Sequence, residues 1–290
     1  MGSRIVYYVI ILPIALLPYP LLYLFSDFSF FVLFRLVGYR KKVVLQNIKN
    51  SFPDKSTANH QLIMKKFYQH FCDLVVESLK GFVISEKQLR KRFSIVNSEL
   101  VNIYFDQGKD VIFVGGHYNN WEILAQGVNL ELKHKIVGIY KPLSNKYFDV
   151  KMKTSREKYG MLLCPIRETK AFLEKDLGKP KGTIFAIDQS PGNPSKSYWL
   201  QFLNQDTPVL YGAEKFAKEY NIPVVFCTIN KVKRGYYQGV LKLIEEFPNQ
   251  TEYGDITTSN TKALEKDILK NPEFWLWTHK RWKHKRTITN

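Results

Sequence analysis

Cysteine is rare in this chain: Cys72, Cys164 and Cys227 are the only three among 290 residues, and no two form a Cys-x-x-Cys pair. Their number and spacing exclude a disulfide framework or a cysteine-based zinc site and suit a reducing compartment. Acidic residues are also short, 26 against 43 Lys and Arg, which leaves a formal charge of +17. Such an excess favours an anionic partner, whether nucleic acid, a membrane surface, a phosphorylated substrate or an acidic carrier protein. Missing too are a Walker loop, a G-x-G-x-x-G turn, an H-E-x-x-H helix and a G-x-S-x-G elbow, each of which would bring its own chemistry. There is no internal repeat and no long flexible linker. What remains is a globular composition, 45% apolar and 14% aromatic, with enough hydrophobic material for a sizeable core.

The apolar residues are not evenly spread. From Ile5 to Ser26 the chain runs without a charge, and apolar character resumes after Asp27 as far as Tyr39. A stretch of this length reaches the roughly 20 residues that cross a bilayer core. Pro13, Pro18 and Pro20 argue against one regular helix and for a kinked span or an obliquely buried hairpin. No short h-region with an A-x-A-like site marks a cleavable signal peptide, and position six lacks the Ser/Thr of a myristoylation signal. Residues 1–38 are therefore expected to be a membrane anchor. Arg35 at its end and Arg40, Lys41 and Lys42 just beyond it form a basic cluster, as expected on a cytoplasmic side facing anionic lipid. Residues 1–38 hold only Arg4, Arg35 and Asp27, so 41 basic and 25 acidic residues lie beyond them. That places +16 on the water-facing body, 39–290.

Within that body, residues 39–109 read as helical. A short basic helix covers 39–50, and Ser56 or Thr57 caps a longer one from Gln61 to about Phe82, whose apolar residues recur at three- and four-residue steps. From Asp110 the texture changes to short apolar strands alternating with helices: strands at 111–116, 135–140, 161–166, 183–188, 223–230 and 236–246, and helices at 120–130, 145–159, 168–177, 209–220 and 260–270. This pattern predicts an α/β fold, a mainly parallel central sheet flanked by helices, over 110–290.

The strongest chemical signal is the junction Gly115-Gly116-His117-Tyr118-Asn119-Asn120-Trp121-Glu122. His117 leaves the C-terminal end of a buried strand, the edge where open α/β sheets place their sites. Glu122 follows five positions on, early in a helix, and is expected to fold back toward the imidazole. A carboxylate on one ring nitrogen fixes the tautomer and frees the other nitrogen to take a proton, for instance from an alcohol attacking an acyl carbonyl.

GGHYNNWE resembles the His-x4-Asp/Glu block of the lysophospholipid acyltransferase superfamily. The whole chain is similar, more narrowly, to the lauroyl/myristoyl acyltransferases of lipid A biosynthesis. The resemblance rests on the apolar N-terminus, on YRKKVVLQNIKNSFPDKS (39–56), FAIDQSPG (185–192), TPVLYGAEKFAKEY (207–220) and WLWTHKRWKHK (275–285), in that order. It implies a membrane-associated transferase that moves a fatty acyl chain from an acyl carrier protein thioester, or acyl-CoA, to a hydroxyl of a membrane glycolipid, here a lipid A precursor. It implies a seat on an anionic membrane surface, the bacterial inner membrane, with the catalytic body facing the cytoplasm. His117 is then the general base and Glu122 its orienting carboxylate, without cofactor or metal. Asn120 or the Gly115 and Gly116 backbone would hold the oxyanion. Arg156 would bind phosphate or acceptor, Asp188 and Gln189 would order acceptor or loop, and Arg281 would clamp a phosphate. His279 reads as structural. The C-terminal interleaving of aromatics and cations also suits nucleic acid, but without a nucleic-acid fold and beside an anchor it points to lipid head groups instead. An aminolipid, lysophospholipid or other glycolipid acceptor, or a non-catalytic basic membrane-binding protein, are the alternatives.

Overall fold

The computed structural model describes residues 2–286. Two apolar helices open the chain. The first comprises α1 (Gly2–Ile5), a wider π-helical stretch (Val6–Ile11) and α2 (Leu12–Leu16). Leu17 and Pro18 are extended, with ψ of 141° and 151°: Leu17 because a residue before proline is driven out of the helical region, Pro18 as the N-cap of the next helix. The second comprises α3 (Tyr19–Phe30) and another π-helical stretch (Phe31–Val37), closed by Gly38 in the left-handed region at φ 66°. The prolines thus divide the segment into two helices in place of one regular helix.

Three helices follow: α4 (Lys41–Ser51), α5 (Thr57–Gly81) and α6 (Glu86–Arg92). Ser56 caps α5, its hydroxyl accepting from the Asn59 amide at 3.3 Å. The remaining elements are β1 (Phe93–Ile95), α7 (Glu99–Asp106), β2 (Val111–Gly115), α8 (Trp121–Glu131), β3 (Lys135–Tyr140), α9 (Lys146–Glu157), β4 (Leu162–Pro165), α10 (Thr169–Glu174), β5 (Lys181–Ala186), β6 (Tyr198–Phe202), β7 (Gln205–Val209), α11 (Gly212–Tyr220), β8 (Val224–Lys233), β9 (Tyr236–Glu245) and α12 (Asp255–Lys270).

Seven strands form one sheet in the order β1-β9-β8-β2-β5-β3-β4, and β6 and β7 form a separate hairpin. All neighbours in the large sheet are parallel except β8 and β9, as the sequence led one to expect. Strand β2 is buried from Val111 to Val114, which is why its sequence is a continuous apolar run rather than an alternating one. Ile112, Val114, Val224 and Phe226 pack on one face with Ala217 of α11, Leu264 of α12 and the indoles of Trp275 and Trp277. Val111, Phe113, Ile136 and Val225 pack on the other with Leu89 of α6, Val101 of α7 and Ile123 of α8.

Three elements had no sequence signal: β1, α7 and the β6–β7 hairpin. Val209, expected to open a helix, instead ends β7, and α11 starts at Gly212. The topology matters for the site. The chain leaving β2 crosses to β3 through α8, whereas β5 returns between them and the next large-sheet strand, β8, lies on the opposite side of β2. The C-terminal ends of β2 and β5 therefore form a topological switch point, where a crevice opens between diverging connections.

Candidate active site

At the end of β2 the backbone passes close under neighbouring side chains. A Cβ on Gly116 would lie 2.8 Å from the Leu264 methyls and 3.3 Å from Asp188 Cγ, so only glycine fits. The next four residues are pinned individually. His117 N–H donates to Asp188 Oδ2 at 2.8 Å. Tyr118 forms a backbone bridge with Trp275, and its hydroxyl donates to the carbonyls of Asp267 and Asn271. Asn119 takes a left-handed φ of 55°, held by its side-chain amide on the Ile229 carbonyl at 2.6 Å. Asn120 caps α8, accepting from the Ile123 amide at 2.9 Å.

This loop presents His117 against Asp188, two residues beyond β5. His117 Nδ1 lies 2.7 Å from Asp188 Oδ1. Asp188 Oδ2 accepts from both the His117 backbone and Trp275 Nε1, the latter at 2.9 Å. With Nδ1–H donated to Asp188, Nε2 is left as the acceptor, and the exposed Gln189 amide lies 3.3 Å from it. The His117 side chain keeps 19% of its surface exposed while that of Asp188 keeps 3%. The imidazole meets the Trp121 ring edge-on, centroids 5.0 Å apart. Burial by itself would lower the His117 pKa, but the Asp188 carboxylate outweighs it and the net shift is upward. Burial pushes Asp188 up, yet His117 together with the hydrogen bonds to its oxygens brings it down to about 2.

Glu122 is turned elsewhere. Arg156, on α9, clasps it with Nε and Nη2 at 3.0 and 2.6 Å, and Trp121 Nε1 donates to it at 3.1 Å. Burial lowers the Arg156 pKa and Glu122 raises it, for a net upward shift. The carboxylate on the imidazole is thus Asp188, in the place expected for Glu122. The helix entered at Trp121 directs Glu122 toward α9, while β5 delivers Asp188 beside the end of β2. Glu122 still acts on His117 through space, raising its pKa as Arg156 lowers it.

Two further expectations change. The Asn120 side chain, 1% exposed, is committed inward, its Oδ1 to the cap and its Nδ2 to Glu77 at 2.7 Å, so it is not presented to an oxyanion. Arg281 is 1% exposed and donates to the Pro208 carbonyl at 2.8 Å. A buried guanidinium does not face a surface where it would clamp a phosphate, and its burial lowers its pKa to about 10. Gly115 accepts from the Ile187 amide at 3.0 Å and so ties the two strand ends together. His279 accepts from the Ser190 amide at 3.0 Å, a structural contact, and burial lowers its pKa. Trp275 and Glu77 enter the site without having been singled out. Trp275 lies in the tryptophan-rich C-terminal block, which is signal enough in hindsight, whereas Glu77 lies in an ordinary amphipathic helix.

The sequence model of the bacterial lipid A biosynthesis acyltransferase family matches residues 3–284. Among characterised relatives, the lipid A biosynthesis lauroyltransferase of Escherichia coli K12 is 21% identical over 268 residues, covering 92% of this chain and 87% of its own. The palmitoleoyltransferase of the same organism is 21% identical over 248 residues, 84% of this chain and 79% of its own. A lipid A biosynthesis acyltransferase of Haemophilus influenzae is 22% identical over 273 residues, 92% and 86% respectively.

Proposed function

The chain belongs to the bacterial lipid A biosynthesis acyltransferase family, and from that premise we propose that His117 is the general base of an acyl transfer to a lipid A precursor. Membership makes the protein an acyltransferase of lipid A biosynthesis. In the finer reading, the donor is an acyl carrier protein thioester, an acidic partner suited to the +16 body. The acceptor is a hydroxyl of the lipid A precursor, the 3-hydroxyl of a hydroxyacyl chain already attached. The N-terminal helices seat the body on the cytoplasmic face of the inner membrane.

The observation that carries the proposal is the 2.7 Å approach of Asp188 to His117 Nδ1, which leaves the Nε2 lone pair on the open side. An acceptor hydroxyl takes the place next to Nε2 that Gln189 occupies. Its proton passes to Nε2 as its oxygen attacks the thioester carbonyl carbon. The resulting imidazolium rests against an Asp188 that stays anionic, its pKa held at about 2. The tetrahedral intermediate then collapses and the carbon–sulfur bond breaks. The proton on Nε2 goes to the departing thiolate, giving the ester and the free carrier thiol. Glu122, held by Arg156, adds negative potential that favours the charged imidazole.

Purified protein incubated with acyl carrier thioesters and a lipid A precursor is expected to add one acyl mass to the precursor by mass spectrometry. His117→Ala should lower turnover by about 100- to 10,000-fold with an unchanged circular dichroism spectrum. Normal turnover in that variant would remove the base assignment. Acylation of phospholipid acceptors in place of the precursor would remove the acceptor assignment.

A further inference from the structure

Asp73, Glu77 and Lys80 lie on one face of α5, and all three turn toward the N-terminal helices. Asp73 accepts from the Ser26 hydroxyl at 2.8 Å and from Arg234 Nη2 at 2.6 Å, and Arg234 also grips Asp27. Lys80 donates to the Ala15 and Leu17 carbonyls at 2.9 and 2.8 Å, which the helix break at Pro18 has freed. Between them, Glu77 Oε1 accepts from the Tyr23 hydroxyl at 2.9 Å.

Asp73 continues to Arg234 and Lys231 at the β8–β9 turn, but of the three only Glu77 continues to the catalytic loop. Its Oε2 accepts from Asn120 Nδ2 at 2.7 Å and from the Tyr237 hydroxyl at 2.8 Å. Asn120 is the cap that starts α8, three residues after His117 and two before Glu122. A small chamber of about 10 Å³, lined by Tyr19, Glu77, Arg92, Asn120, Glu122 and Ile123 among others, adjoins the same point. It has room for about one water. Arg92, 8% exposed, stacks on the Tyr19 ring at 3.2 Å and leaves its Nε without a partner. The N-terminal helix therefore reaches the start of α8 through one carboxylate and walls the chamber beside Glu122.

We propose that Glu77 is a positioning residue through which the seating of Tyr23 on α5 sets the geometry of the catalytic loop. With Tyr23 in place, Glu77 Oε1 is held by that hydroxyl and Oε2 is directed at Asn120 and Tyr237, which fixes the first turn of α8. Without that hydrogen bond the carboxylate is held only through Oε2 and can pivot about it, which loosens the Asn120 cap. The inference rests on the reading of His117 as the base, because it is that loop whose geometry is at stake.

The test compares two single-atom deletions on the same helix in the full-length protein reconstituted in anionic phospholipid vesicles. Tyr23→Phe removes the hydroxyl that reaches Glu77. Ser26→Ala removes a hydroxyl that ties the same helix to Asp73, whose other partners, Arg234 and Lys231, lie at the β8–β9 turn and not on the catalytic loop. Tyr23→Phe is expected to lower kcat about tenfold, the worth of one hydrogen bond to a charged group, with both KM values and vesicle binding unchanged and the unfolding temperature lowered to a similar degree as in Ser26→Ala. Ser26→Ala is expected to leave kcat as in the parent. Equal losses in the two variants, or no loss in Tyr23→Phe, would overturn the inference, since a docking contact alone does not distinguish these hydroxyls. His117→Ala run alongside keeps the two readings apart. If it is silent while Tyr23→Phe turns over normally, only the coupling fails; if it is active, the site assignment itself fails.

Discussion

The tautomer of His117 depends on which atom of residue 188 faces it. Asp188 Oδ2 receives two donors, the His117 amide and the Trp275 indole, so in Asp188→Asn the side-chain carbonyl must stay at that position. The amide nitrogen then lands on Nδ1, forces the proton to Nε2 and removes the lone pair that should accept from substrate. Turnover is expected to fall by about 10,000-fold, the scale of a wrong-tautomer substitution, with the fold retained by circular dichroism. The pH profile gives a second readout. The base works when neutral, and its pKa is raised in the folded protein, so activity climbs as pH rises through that raised value. In Asp188→Asn the larger of the two raising carboxylates is gone while burial and Arg156 still lower the pKa, so the residual activity should have its limb at lower pH. An unshifted limb would separate Asp188 from the titration. Stability follows the same pairing. The contribution of Asp188 is present above its ordinary 3.8 and is lost as pH falls through about 2. That of His117 is present below 6.5 and is lost as pH rises through the raised value. His117 and the strand–glycine–glycine approach to it were readable in the sequence, as was the position of Asp188 at the end of a strand. Their contact was not, because 71 residues separate them, and nearness along the chain pointed to Glu122 instead.

Helix ends carry much of the site's accuracy at the scale of elements. Asn145 begins α9 by accepting from the Tyr147 and Phe148 amides at 3.1 and 3.2 Å, and Arg156 stands in the last turn of that helix. Asn145→Ala is expected to cost about 1 kcal/mol in denaturant unfolding. An unchanged midpoint would mean that packing alone holds α9. Strand β3 occupies the expected 135–140, and α8 and α12 fall within a few residues of where periodicity placed them, because each buries one apolar face; the polar α9 also lies within two residues of its expected bounds. Strand β1 has three residues, too few for any alternation to register. The β6–β7 hairpin joins bulky and polar residues around Leu203 and Asn204, both at positive φ, a turn without glycine and so without the usual signal. In α5 the apolar spacing of Ile63, Phe67 and Leu74 defines the helix, but charges at 73, 77 and 80 would ordinarily face water. They face another helix because the N-terminal segment folds back over them.

For the whole molecule, the question is how a body of +16 meets a membrane. Side chains such as Val9, Leu24 and Phe28 are more than 60% exposed on the N-terminal helices, too much contiguous apolar surface for water. Tyr19–Val37 is long and apolar enough to cross a bilayer. Yet Asp27 near its middle pairs with Arg234 of the catalytic body at 2.6 Å, and an ion pair in hydrocarbon is costly. We propose a seat within one leaflet, with Arg35 and Lys42 at the head groups, which satisfies both. In flotation with anionic vesicles, the protein is expected to stay bound as salt rises, because apolar burial is not screened. Leu24→Asp combined with Phe28→Asp should leave it in the soluble fraction. If that variant floats like the parent, the membrane face lies elsewhere. Composition and pattern by themselves determined the segregated apolar N-terminus, the basic body, the α/β class and a histidine at the end of a buried strand, since each follows from local periodicity or from charge counted along the chain. Tertiary structure decided that Asp188 rather than Glu122 touches the imidazole, that Arg281 is buried, and that the N-terminal helices are clasped by α5. Those outcomes depend on which strand ends and helix faces meet across tens of residues, where burial makes one hydrogen-bond partner mandatory and leaves no trace in local spacing.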